Sequence, residues 1–174
     1  MIEYSTPRIK ANPEGQDVVL SRDQIWQALE WKAEFPTLFV KPIREARVLE
    51  RFEDGILREI VHQDPGAEPE VLHERVFYVP KEQMTFLRLD GRVLGQIINA
   101  IECDDGELTV RFTFTLAIEG APHGGEQERA YQERFADGYV FAVNQLLEMT
   151  REAVRTGVNP TAELAEARAA GVAA

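Results

Sequence analysis

The sequence predicts an α+β domain in which a long curved antiparallel sheet wraps around one long C-terminal helix, with a short helix pair after the first strand. Three observations predict it. From 46 to 118, strand-like runs alternate with turn residues, the pattern of a meander. In the last run, Leu108, Val110, Phe112, Phe114 and Leu116 alternate with Thr109, Arg111, Thr113 and Thr115, so one face of the sheet is apolar. A long apolar stripe at helical spacing follows residue 126, and no other element is large enough to cover that face.

Taken in order, 2–10 reads as a short first strand despite Pro7, and 12–17 (NPEGQD) is turn chemistry. Ser21 with Gln24 forms an S-x-x-Q capping box that opens a helix carrying Ile25, Trp26, Leu29 and Ala33 on one stripe. Pro36 ends that helix and begins a second short one over PTLFV. Runs 46–52 and 56–62 flank Asp54-Gly55, a hairpin signal. Runs 71–79 and 84–89 flank Pro80-Lys81, and runs 95–103 and 107–118 flank Asp104-Asp105-Gly106. The long helix is expected from Glu126 to Arg155, with Tyr131, Phe135, Tyr139, Ala142, Val143, Leu146, Met149 and Ala153 inward and Ala142 at the closest approach to the sheet. Gly157 and Asn159-Pro160 stop it. The domain is thus expected over 1–156. Residues 157–174 form an Ala-rich tail, read either as a frayed helix or as disordered chain.

Composition narrows the function classes. At 174 residues, 44% of them apolar and 28% charged, the chain suits one globular domain. The net charge of −11 disfavours nucleic acid, whose affinity rests on neutralising phosphates. The single cysteine, Cys103, excludes an internal disulfide and fits a cytoplasmic protein. MIEYSTPRIK has no apolar core of a secretory signal, and no apolar run is long enough to span a bilayer.

The segment 20–43 (LSRDQIWQALEWKAEFPTLFVKPI) places Lys32, Ala33, Pro36 and Phe39 in a K-A-x-x-P-x-x-F pattern after a Trp-containing helix. The segment 94–114 adds Gly95, Ile97, Asn99, Phe112 and Phe114 on paired strands. In these features the chain resembles the AtaL-like branch of the START-like superfamily, the helix-grip fold also seen in the birch-pollen allergen. The resemblance covers most of 1–156 and omits the tail. It implies a deep, largely apolar cavity. Superfamily members carry lipids, sterols, polyketides and hormones, and a few perform cyclase or hydrolase chemistry. The branch is associated with secondary-metabolite clusters and supplies no catalytic residues to carry over.

Among candidate residues, His62, His73 and His123 lack metal-ligand spacing and are expected at the surface, so neither a metal nor another cofactor is expected. Cys103, expected half-buried, has no evident histidine to activate it. The HGGE turn (123–126) precedes a helix N-terminus but lacks the lysine and spacing of a phosphate loop, so a hinge or helix entry is expected. The dense charges Arg44, Glu45, Arg47, Glu50, Arg51, Glu53, Asp54, Arg58 and Glu59 read as an outer sheet face. The aromatics Phe77, Tyr78, Phe86, Phe112, Phe114, Phe135 and Tyr139 are expected as core residues, some of which must line any cavity. Pairing Glu102 with Glu107 across a four-residue loop sets Asn99 opposite Val110 and turns its amide inward. There it meets either structural partners or the polar head of a ligand. A slip of one residue would turn it outward. Lys32 either reaches the cavity mouth or snorkels into solvent. The leading expectation is a module that binds a small hydrophobic molecule. The rivals are a cyclase-like or hydrolytic enzyme using the same cavity, and an interaction domain with a filled core.

Overall fold

Ser21 illustrates how local sequence sets local structure. Its Oγ accepts from the Gln24 amide at 3.2 Å, and the Ser21 amide donates to Gln24 Oε1 at 2.9 Å, so both halves of the capping box are made. They open α1 (Arg22–Glu34), which ends before a single 3-10 turn, Pro36–Leu38, rather than a second α-helix. The computed structural model describes residues 1–64 and 66–162, with Glu166 and Ala169 beyond, so the expectation for the tail falls largely outside the described residues.

The predicted first strand is two short ones, β1 (Ile2–Ser5) and β2 (Ile9–Lys10), both paired with the last strand. Pro7 has no amide to donate, so the chain leaves the ladder there. Thr6 holds the break in place: its amide donates to the Phe112 carbonyl and its Oγ1 accepts from the Phe112 amide. The meander follows as β3 (Ile43–Phe52), β4 (Gly55–His62), β5 (Glu70–Val79), β6 (Gln83–Arg88), β7 (Val93–Asp104) and β8 (Glu107–Ile118). The sheet runs β1-β8-β7-β6-β5-β4-β3, antiparallel throughout. This is the α+β helix-grip architecture.

The β7–β8 turn corrects the expected register. Asp104 pairs with Glu107 across a two-residue loop, Asp105-Gly106, both at positive φ. That is the geometry whose twist matches a hairpin. The whole pairing therefore moves by two residues, and Asn99 faces Phe112 rather than Val110. Because side chains alternate with period two, a shift of two preserves the face, and Asn99 still points inward. Gly95, mid-strand, has φ +124°, and a Cβ there would stand 2.1 Å from the Thr115 carbonyl oxygen. Such glycines mark the bends by which a sheet curls.

The long helix, α2 (Glu126–Thr156), ends at Gly157, whose left-handed backbone lets its amide donate to the Ala153 carbonyl. It packs unevenly. Val143, Leu146, Leu147, Thr150 and Arg151 are buried, whereas Tyr131, Phe135, Tyr139 and Ala142 are half-buried. Burial of each leucine contributes about 1.5–3 kcal/mol. The tight contact thus lies one turn and more beyond Ala142, which borders a cavity. The surface expectations also need amendment. Arg47–Glu59 is an outer-face pair as expected, but Arg51, the cross-strand partner of inward-facing Ile56, reaches Glu34 on α1, and Arg58 is buried on the inner face. It shares the parity of Ile56 and Ile60, so the strand's alternation carries it inward. Cys103, at a strand end, is exposed.

Candidate functional site

Where the first half of α2 stands over the sheet, a cavity of about 170 Å³ remains. Its walls are Phe86, Ile97, Phe112 and Phe114 from the sheet and Tyr131, Phe135, Tyr139 and Ala142 from α2. The segment after the 3-10 turn, Phe39–Ile43, closes one side, and there Lys41 Nζ lies 4.7 Å from the ring of Phe141, which is 47% exposed. Tyr139 stacks on Phe114 with ring centroids 3.5 Å apart, and Phe135 packs against Tyr131 at 4.5 Å. Burial, then the neighbouring Tyr131, pushes the Tyr139 hydroxyl far above its usual range, so it stays a neutral hydrogen-bonding group.

Two inward rows cross the strands side by side. In one, Ile56, Val76, Phe86, Ile97 and Phe114 are direct cross-strand partners, an apolar floor. In the next, Arg58 pairs with Glu74, Glu74 with Arg88, and Arg88 with Gly95. Charges therefore alternate across three neighbouring strands beside that floor, and all three side chains line the cavity. Arg58 Nε and Nη2 donate to Glu74 Oε2 at 2.9 and 2.6 Å, while Nη1 donates to the Ala33 and Lys32 carbonyls at 2.6 and 3.1 Å. Arg58 thus ties the C-terminal carbonyls of α1 to the sheet, where a cation is favoured by the helix dipole. Glu74 is 2% exposed. Burial pushes its carboxyl up, but Arg58 and Arg88 outweigh that and hold it below the usual carboxylate range. Arg88 Nε lies 3.5 Å from Glu74 Oε1 and makes no hydrogen bond among the described residues.

Lys32 enters from α1. It is 6% exposed, its Nζ donates to Asn99 Oδ1 at 2.5 Å, and it sits over the rings of Phe112 and Phe86 at 4.4 and 4.7 Å. Among the described residues no carboxylate lies within ion-pair distance of it. Burial, with Arg58 adding like charge against the weaker opposing pull of Glu74, brings its pKa down to about 7. His62, expected at the surface, lines the cavity instead; burial and then Arg88 hold its ring below the ordinary pKa. His123 is exposed as expected, and His73 is partly exposed and bonded to Asp90 at 2.6 Å.

Of the residues singled out from the sequence, Lys32, Phe86, Phe112, Phe114, Phe135 and Tyr139 stand around this cavity. Two do not. Tyr78 packs edge-on against Trp26, with centroids 5.9 Å apart. Asn99 is fully buried behind the wall, its oxygen accepting from Lys32 and its Nδ2 without a partner among the described residues. Sequence reasoning missed Arg58, His62, Glu74, Arg88 and Tyr131. The signal was parity: Glu74 alternates in step with Leu72 and Val76, and Arg88 with Met84 and Phe86. Among the described residues no cluster of His, Cys, Asp or Glu is arranged to hold a metal ion, and no helix is long and apolar enough to cross a membrane.

The sequence pattern of the AtaL family, acetylaranotin biosynthesis cluster protein L, matches residues 2–157. None of the curated proteins matches the chain. Among solved structures, the di-domain ARO/CYC StfQ from the steffimycin biosynthetic pathway superposes with a TM-score of 0.66 at 14% identity, covering 90% of this chain and 52% of that one. The chain therefore spans about half the length of that protein. The Zhui aromatase/cyclase from Streptomyces sp. R1128 gives 0.65 at 17% identity, covering 90% and 96%. Ara h 8.0201 gives 0.55 at 10%, covering 86% and 95%. Identities this low establish a shared helix-grip fold. With the match running from the first strand to the end of the long helix, the chain belongs to the AtaL family.

Proposed function

We propose that the domain binds a hydrophobic, oxygen-bearing small molecule of polyketide type between α2 and the sheet. In this arrangement Phe86, Phe112, Phe114, Phe135 and Tyr139 hold its rings or chain, and Lys32 and Arg88 meet its carbonyl or phenolic oxygens. The observation that carries the proposal is the wall chemistry: an aromatic cavity with three buried cationic side chains, Lys32, Arg58 and Arg88, facing a single carboxylate, Glu74. Arg58 is committed to the α1 carbonyls and Glu74, which leaves Lys32 and the guanidinium of Arg88, both residues of the cavity wall, for a ligand. Buried positive charge in excess favours electron-rich oxygen atoms in a site that otherwise selects apolar surface. The aromatase/cyclase relatives of the same fold support a carbon skeleton of this kind. A second reading, catalysis in the same cavity, is favoured by the perturbed Lys32 amine beside the Arg58–Glu74–Arg88 row.

Calorimetric titration with 1,8-dihydroxyanthraquinone, alongside native mass spectrometry of the purified protein, tests binding. One saturable site is expected, and Ala142→Trp, which fills the cavity, should weaken it by at least about tenfold, or about 1.4 kcal/mol. Absence of both saturable binding and any co-purified molecule would overturn the proposal, as would unchanged affinity in the tryptophan variant.

A further inference from the structure

Lys32 has a use that ligand holding does not exhaust. A lysine this buried ordinarily pairs with a carboxylate, and the nearest candidate is already engaged: Glu74 Oε2 accepts both contacts from Arg58. The hydrogen bond from Nζ goes instead to a neutral amide oxygen, Asn99 Oδ1. A neutral amine that gives one N–H to Asn99 keeps its other N–H and its lone pair for a molecule in the cavity it lines. Desolvation beside another cation is the environment that turns lysine into a nucleophile at neutral pH.

We propose that Lys32 is a carbonyl-reactive amine, which condenses through Nζ with a ketone of a hydrophobic 1,3-dicarbonyl compound bound in the cavity. The Nζ lone pair forms a bond to the ketone carbon as the C=O π pair moves onto oxygen. That oxygen then leaves as water with the two amine protons, giving an imine. Transfer of a proton from the central carbon to nitrogen gives the conjugated enaminone, with no net oxidation or reduction. Phe86 and Phe112, whose faces lie against Nζ, stabilise the cationic iminium form, and Asn99 is a positioning residue that fixes the amine. Arg88, two residues along the same strand face from Phe86, is placed to take the second carbonyl oxygen. The charged and titratable groups that line the cavity with the amine are Lys41 from the segment after the 3-10 turn, Arg58 and His62 from β4, Glu74 from β5, Arg88 from β6, and Tyr131 and Tyr139 from α2.

The proposal rests on ligand binding in this cavity, so the test separates the two. The full chain is titrated with 1-phenylbutane-1,3-dione and, in parallel, with butylbenzene, which offers similar apolar surface and no carbonyl. With the diketone, a near-ultraviolet band of a vinylogous amide should appear. The protein mass should rise by the diketone less one water, and peptide mapping should place the adduct on Lys32. Lys32→Met and Lys32→Arg should both lose the band while still binding butylbenzene, and Asn99→Leu should slow adduct formation with butylbenzene affinity kept. Binding of both compounds with no adduct, or an adduct on Lys10, Lys41 or Lys81 instead, overturns imine formation at Lys32 and leaves the cavity proposal standing. Binding of neither compound removes both.

Discussion

Replacing Lys32 by methionine should stabilise the fold at neutral pH and destabilise it at high pH. The folded chain holds the Lys32 pKa at about 7, against 10.5 when solvated. That gap of about 3.5 pH units, at about 1.36 kcal/mol each, amounts to about 5 kcal/mol. Between the two values the unfolded chain carries a proton that the folded chain has released. Wild-type stability therefore rises with pH across this window by about 1.4 kcal/mol per unit, and levels off above the solvated value. Methionine fills similar space against Phe86 and Phe112 and does not titrate. It leaves Asn99 Oδ1 without its donor, at a cost of about 1–3 kcal/mol. The net is a variant more stable by about 2–4 kcal/mol at pH 7 and below, and less stable by about 1–3 kcal/mol near pH 10.5. Urea unfolding of both proteins from pH 6 to pH 10, followed by tryptophan fluorescence, measures the difference directly. Groups common to both proteins cancel in it. A difference that stays constant with pH would refute the desolvated amine and, with it, the chemical basis for its reactivity.

Glu74→Gln should be among the most damaging single changes, because it strips Arg58 and Arg88 of their carboxylate while keeping shape. A loss of about 3–5 kcal/mol in denaturant unfolding is expected, and a loss near that of an exposed pair such as Arg47–Glu59 would show the row to be solvated. Gly95→Ala should lower thermal stability by more than about 2 kcal/mol, since its Cβ meets the Thr115 carbonyl at 2.1 Å on a left-handed backbone. An unchanged melting temperature would mean that the β7–β8 bend adjusts freely.

The sequence by itself determined the element order, the hairpin positions, the capping box at Ser21 and the inward parity of the aromatic residues. Each of these is a local property: a turn pair, a period of two, a period of 3.6. The same parity carried Asn99 inward even though the expected hairpin register was two residues out, because a slip of two preserves the face. Lateral neighbours are a different matter. Whether Arg58 meets Glu74, and Glu74 meets Arg88, depends on where each strand begins, and that is fixed by turn lengths and by irregularities such as the shift between Val48 and Glu50 in β3. A charged residue in a strand carries no local mark of being buried, so Arg58 read as one more member of an outer-face run. Lys32 likewise could have reached solvent or cavity from its helix. Only the tertiary structure placed its amine between two aromatic faces with an amide oxygen as its hydrogen-bond partner. The reason is physical: parity is written within one strand, but the company a buried charge keeps is set by several strands and two helices closing on the same volume.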